Sequence, residues 1–270
     1  MRRIVHLSDL HFGRVDPELL EPLRSRVRQI EPHLVVVSGD LTQRAKPEQF
    51  RQAKQFLDSL PQPQVVVPGN HDVPLFNVFQ RLLTPLGKYK RIVNPDVEPE
   101  YIDDEIAVIG VNTARSLVWK DGSINKRQVE RVRSRICDLD ARVAKIVVTH
   151  HPFDVPEDHN EAEIVDKAAK AMKVFAECGA DILLSGHLHK THTTHSAERY
   201  KIPGHSALIV QAGTATSTRG RGEANSFNAL HITADEVKIE RWEWNSHSKV
   251  FELGPSERFL HAPDGWHRPR

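Results

Sequence analysis

Cysteine is nearly missing from this chain: two residues, Cys137 and Cys178, in 270. Each falls inside a predicted helix, so the pair reads as reduced core or surface thiols, and a disulfide framework is excluded. Net charge is nearly missing as well. With 37 Lys and Arg against 36 Asp and Glu, the formal charge is +1 and the isoelectric point near 7.9, so no global field steers an extended polyanion toward the molecule. A nucleic-acid partner is permitted by local patches but not required or favoured. No stretch approaches the roughly 18 apolar residues of a membrane span. Met1-Arg2-Arg3 runs straight into an apolar strand, leaving no room for a secretory leader, and the cytoplasm is the expected location. Internal repeats and low-complexity tracts are absent.

What the chain does contain is a series of short apolar runs rich in β-branched residues: Ile4 to Leu7, Leu34 to Val37, Val65 to Val67, Ile146 to Val148 and Ile182 to Leu184. Such runs suit strands buried on both faces. Each ends in polar residues: Asp9-Leu10-His11, Gly39-Asp40, Gly69-Asn70-His71-Asp72, His150-His151, and Gly186-His187-Leu188-His189. In an open α/β sheet the carboxyl ends of the strands border the ligand crevice. Five strands therefore deliver Asp, Asn and His to one edge.

Asp9, His11, Asp40, Asn70, His150, His187 and His189 make seven donors, too many for one ion. Oxygen donors mixed with imidazole, without thiolates, suit Mn, Fe, Zn, Co or Ni and argue against a structural zinc knot. Two divalent ions fit if one carboxylate bridges them, and Asp40 is the natural bridge. A pair about 3.5 to 4 Å apart can hold a hydroxide and clamp the attacking and leaving oxygens of a displacement at phosphorus.

These blocks, D-x-H, G-D, G-N-H-D, H and G-H-x-H, are all present and in order, and the chain resembles the calcineurin-like metallophosphoesterases over residues 1 to about 230. The resemblance implies that one metal takes Asp9, His11, Asp40 and His189 and the other Asp40, Asn70, His150 and His187, with manganese or iron foremost. It also implies that His71 protonates the leaving alkoxide, a task suited to an imidazole titrating near neutrality. Asp72 is expected to orient the His71 ring. Gln43 stands where purple acid phosphatases carry Tyr, and Leu41 and Asp72 depart from the protein serine/threonine phosphatases. The small-molecule branch, including class III cyclic-nucleotide phosphodiesterases, is the closer match.

Helix signals separate the strands. Asp16-Pro17 reads as a cap opening a helix to about Gln29, Pro47 opens another, and 124 to 139 and 162 to 177 supply two more, the last closed by Gly179. Further strands are expected at Ile106 to Val111, Ala207 to Gln211, Phe227 to Thr233 and Val237 to Trp244, the last two joined as a hairpin. The expected fold is an α/β four-layer α/β/β/α sandwich of two mixed sheets. One catalytic domain spans 1–252, with a candidate cap at 74–102 and a tail from 253 to 270.

Substrate contacts are expected from His151 beside the metal ligands and from Arg219 and Arg221, whose guanidinium forks match phosphate oxygens. Trp119 is a candidate for stacking on a base or sugar. The leading expectation is a phosphodiesterase for a small nucleotide or related diester, a cyclic nucleotide first. Alternatives are a pyrophosphatase of a nucleotide-linked lipid precursor, which needs an exposed apolar cap around Leu75 to Leu86, a nuclease, which needs a basic groove, and a non-catalytic metal-binding scaffold.

Overall fold

The computed structural model describes residues 1–75, 77–115, 121–157, 159–219 and 222–269. Along the chain run β1 (Arg2–Leu7), α1 (Pro17–Ile30), β2 (Leu34–Ser38), α2 (Pro47–Asp58), β3 (Gln64–Val67), α3 (Val78–Leu83), α4 (Gly87–Ile92), β4 (Glu100–Ile102), β5 (Ile106–Gly110), α5 (Lys126–Ile136) and β6 (Ala144–Val148). Then follow α6 (Ala168–Glu177), β7 (Ile182–Ser185), β8 (His192–His195), α7 (Ser196–Tyr200), β9 (Leu208–Gln211), β10 (Ser226–Ile232), β11 (Glu236–Asn245), β12 (Val250–Ala262) and β13 (Gly265–His267). The strands form two sheets, ordered β13-β12-β11-β10-β1-β2-β3 and β4-β5-β6-β7-β9-β8. Parallel pairing joins β1 to β2 and β2 to β3 in one, and β5, β6, β7 and β9 in the other.

Alternation along each strand sends neighbouring side chains to different cores. Val5, Leu7, Val35 and Val37 pack with Leu19, Leu23 and Val27 of α1 and Phe50 and Phe56 of α2. Ile4, Leu34 and Val36 turn the other way, against Val108, Ile146, Val148 and Leu184 of the second sheet. On that sheet's outer face Val147 and Leu183 meet Val132 and Ile136 of α5 and Met172 and Phe175 of α6. Three stacked cores give helix, sheet, sheet, helix, the four-layer sandwich expected from the sequence.

Local signals explain the helix ends. The Asp16 side chain accepts from Glu18 N at 3.0 Å with Pro17 in the first turn, and Gly179, at φ +69, follows α6. That helix starts later than expected, at Ala168, because Glu161–Glu163 is a separate turn and Lys167, at φ 68, breaks the run.

Two expectations need correction. Residues after 252 are not a tail: β12 is a 13-residue strand paired along β11, and β13 folds back on its end. Its buried members, Phe251, Phe259 and Trp266, are widely spaced, and Gly254-Pro255 interrupts the pattern, so alternation is hard to see. Cys137 and Cys178 are not free thiols; they form a disulfide between the C-terminal ends of α5 and α6. A separation of 41 residues gave no pairing signal, and only the packing of the two helices brings the sulfurs together.

The 74–102 segment divides. Tyr89 of α4 is buried against Phe50 and donates to Val66 O at 2.8 Å, which ties α4 to the core. By contrast α3 leaves Val78, Phe79, Leu82 and Leu83 exposed. Among the described residues no helix is long and apolar enough to cross a membrane.

Candidate metal centre

All five polar clusters meet at the carboxyl ends of β1, β2, β3, β6 and β7. Leaving a buried strand for a side chain aimed back over the sheet edge demands an abrupt turn. Asp9, His11, Asp40, His187 and His189 take it in the left-handed backbone region, with φ of 53, 50, 52, 74 and 57. That conformation costs a non-glycine residue roughly 1–3 kcal/mol and persists where the surroundings over-determine it. The turn after β1 is held by Ala215 N donating to Ser8 O, Thr214 Oγ1 to Asp9 O and Thr216 Oγ1 to Leu10 O at 2.7–3.0 Å. Two glycines make room: a Cβ on Gly69 would lie 2.1 Å from Asp40 Oδ1, and one on Gly186 2.6 Å from Asp9 Oδ2.

Asp9, His11, Asp40 and His189 offer ligand atoms all within 4.8 Å of one another. His11 Nε2 and His189 Nε2 are 3.0 Å apart, and each faces Asp9 Oδ1, at 3.5 and 3.2 Å. Asp9 Oδ1 is buried without a hydrogen-bond partner, while Oδ2 accepts from Ser8 Oγ and His187 N. A second group lies alongside. Asn70 Oδ1 is 3.0 Å from His150 Nε2 and 3.1 Å from His187 Nδ1, and Asp40 Oδ1 is 3.4 Å from His150 Nε2. Backbone carbonyls fix two rings: His150 Nδ1 donates to Ser38 O and His189 Nδ1 to Arg219 O, leaving each Nε2 lone pair for the centre. An unpartnered carboxylate oxygen and imidazole lone pairs converging at such distances are what divalent cations require, so the donor set fits two ions.

Charge follows the same pattern. Burial alone would raise the Asp40 carboxyl, but the imidazoles of His150 and His71 hold it far below the usual range. Burial opposes protonation of His150, yet Asp40 lifts it to about 9. Burial and His150 push His187 down to about 3.

His71 lies beside the centre, its Nδ1 donating to Gln43 O at 3.0 Å and its Nε2 accepting from Arg219 Nη1 at 3.0 Å. Burial lowers its basicity, with Asp40 acting in the opposite direction. Asp72 does not orient this ring, contrary to expectation. Its carboxylate accepts from Leu41 N, Thr42 N, Gly69 N and Thr42 Oγ1 at 2.9–3.1 Å and binds the turn after β2 to the turn after β3. Burial and Asp40 push it up to about 7 against those donors. The ring's anchor is the Gln43 carbonyl, a backbone group that no sequence pattern marks. His151 is fully buried, with Nδ1 2.8 Å from Thr113 Oγ1 and its ring 4.7 Å from that of His187, and it offers a ligand atom within 4.8 Å of those of His150 and His187, so it joins the second group instead of lining open space. Arg221 and Trp119 lie outside the described residues.

The profile described as calcineurin-like phosphoesterase matches residues 2–191. The chain belongs to the calcineurin-like phosphoesterase family. It is a metal-dependent phosphoester hydrolase. It is 28% identical over 190 residues to the uncharacterized protein YpbG of Bacillus subtilis, covering 69% of this chain and 60% of YpbG. Glycerophosphodiester phosphodiesterase GpdQ of Enterobacter lignolyticus is 22% identical over 227 residues, 74% of this chain and 78% of GpdQ. The 3',5'-cyclic adenosine monophosphate phosphodiesterase CpdA of Escherichia coli K12 is 23% identical over 203 residues, 70% of each. In structure, a dimetal phosphatase from Danio rerio superposes with a TM-score of 0.65 at 13% identity, covering 89% of this chain and 95% of that one, a likeness of fold.

Proposed function

We propose that the protein is a two-metal phosphodiesterase acting on a small nucleotide or related diester, with a cyclic nucleotide as first candidate. The observation that carries this reading is Asp40, whose Oδ1 is 3.4 Å from His150 Nε2 and whose Oδ2 is 3.7 Å from His11 Nε2, as a carboxylate shared between two cation sites requires. Asp9, His11 and His189 complete one site, and Asn70, His150 and His187 the other. Divalent cations held there supply positive charge to the phosphoryl oxygens and an activated water. Manganese or iron is the preferred occupant.

The protein's own groups do the rest. Arg219 turns from His71 onto a phosphoryl oxygen when substrate enters, which frees Nε2 to take a proton from solvent, and His71, still anchored on Gln43 O, gives that proton to the departing oxygen. Bis-p-nitrophenyl phosphate with Mn²⁺ tests the reading: turnover that chelator abolishes and Mn²⁺ restores is expected, and chelator-insensitive hydrolysis would contradict it.

One observation favours a second reading, a pyrophosphatase of a nucleotide-linked lipid. Phe79 and Leu83 on α3 are 81% and 78% exposed, and Leu75, just before that helix, lines the pocket that also holds His71. Detergent micelles of such a pyrophosphate, compared with cyclic nucleotides at equal concentration, separate the two. We also propose a cytoplasmic location, against which the Cys137–Cys178 bond weighs. Cell fractionation with thiol trapping decides it.

A further inference from the structure

Helix α3 is built inside out. Its apolar residues Val78, Phe79, Leu82 and Leu83 recur at spacings that put them on one helical face, and each is between 52% and 81% exposed. Its one cationic residue, Arg81, is only 7% exposed and folds back so that Nη1 donates to Pro74 O at 3.3 Å. Water favours the opposite arrangement, with apolar surface hidden and guanidinium groups hydrated. Local bonds hold the inversion in place. Asn77 Oδ1 accepts from Gln80 N at 2.9 Å at the start of the helix, Thr84 N donates to Gln80 O at its end, and the chain passes directly into α4, which Tyr89 pins to the core.

Charge says what covers this face. From Val73 to Pro95 the chain carries Arg81, Lys88, Lys90 and Arg91 and no Asp or Glu. Lys90 and Arg91 are exposed on α4, and Lys88 beside them feels the charge of Arg91. Apolar side chains standing out from the surface next to exposed cations match an anionic bilayer, whose acyl carbons accept the former while its headgroup phosphates attract the latter. A second copy of the chain is a poorer match. A two-fold contact through α3 would bring each copy's basic residues toward the other's, and four side chains fall far short of the roughly 20–30 residues a side that a stable interface uses.

We propose that α3 is a membrane-contact element through which the protein docks reversibly on anionic lipid surfaces. Val78, Phe79, Leu82 and Leu83 enter the boundary between headgroups and acyl chains, and Lys90 and Arg91 meet lipid phosphates. Leu75, just before α3, lines the pocket that also holds His71, so docking brings the mouth of the metal centre to the lipid surface. The inference goes beyond the phosphodiesterase reading and holds for either substrate named there, because its test reads binding and not turnover.

Cosedimentation of the full chain with vesicles tests it, using phosphatidylcholine alone and an equimolar mixture with phosphatidylglycerol. Binding to the anionic vesicles should be about tenfold or more above that to the neutral ones and should weaken as salt is raised. Phe79→Ser/Leu83→Ser should lower it by at least about tenfold with an unchanged melting temperature, and Lys90→Glu/Arg91→Glu should remove the preference for anionic lipid. Tryptophan emission of Phe79→Trp should move to the blue, relative to a wild-type control, when anionic vesicles are added. Failure to sediment with anionic vesicles, binding that survives Phe79→Ser/Leu83→Ser, or unmoved emission from Phe79→Trp overturns the proposal. A dimer in lipid-free buffer that Phe79→Ser/Leu83→Ser converts to monomer, read by sedimentation velocity, assigns the face to a second copy and overturns it as well.

Discussion

Removing the Asp40 carboxylate deprives both donor groups of a member, whereas removing the His71 ring takes a donor from neither. Asp40→Ala should therefore lose bound metal and turnover together, measured by elemental analysis alongside the rate. His71→Ala should keep its metal and slow by roughly a hundred- to ten-thousand-fold on alkyl esters, with much less loss on p-nitrophenyl esters, whose leaving group needs no proton. Equal loss on both substrate types would remove His71 from the acid role. A third residue governs acid stability. His6 is fully buried, its Nε2 bonded to Ser38 Oγ and its Nδ1 without a partner, and burial lowers it to about 3 from the ordinary 6.5. Because the unfolded chain takes up this proton first, the contribution is whole above about pH 6.5 and drains away as pH falls toward 3, by about 2 kcal/mol at pH 5. Denaturant titrations of chelated protein should show that slope in the wild type and a flatter one in His6→Gln; parallel curves would discount the ring.

At the scale of elements, strands and their polar ends were plain in the sequence because buried strands read as β-branched runs and the proposed cation ligands as clustered Asp, Asn and His. The seven donors named from those clusters do converge. What stayed hidden was carried by backbone groups and by packing. The carbonyls of Gln43, Ser38 and Arg219 orient three imidazoles, yet a carbonyl leaves no mark on residue identity. Asp72 could be seen as important but not as a staple between two turns. That staple gives a prediction. Asp72→Ala strands two backbone N–H groups on the β2 side and one on the β3 side, so unfolding free energy should drop by roughly 2–4 kcal/mol, and metal affinity should weaken with it. If Asp72→Ala instead alters only the leaving-group dependence, the orienting role returns.

For the molecule as a whole, the Cys137–Cys178 bond closes a loop of 41 residues that contains β6 and α6, and with them His150 and His151. Chain entropy assigns such a crosslink roughly 3–4 kcal/mol. A Cys137→Ser/Cys178→Ser variant should melt several degrees lower at unchanged room-temperature activity, since the bond lies at the helix ends remote from the catalytic edge. Differential scanning calorimetry with and without reductant checks it, and an identical melting temperature would deny the bond any weight.

Neither sheet carries all of the proposed coordination set. Asp9, His11, Asp40 and Asn70 hang from β1, β2 and β3, while His150, His187 and His189 hang from β6 and β7. Cation binding is thus a measurement of how the two sheets are aligned: sliding one past the other by a single residue, about 3.3 Å, would dismantle both sites in one stroke. Metal loss on mild denaturation should accordingly be concerted, two ions leaving per molecule with no singly loaded species between.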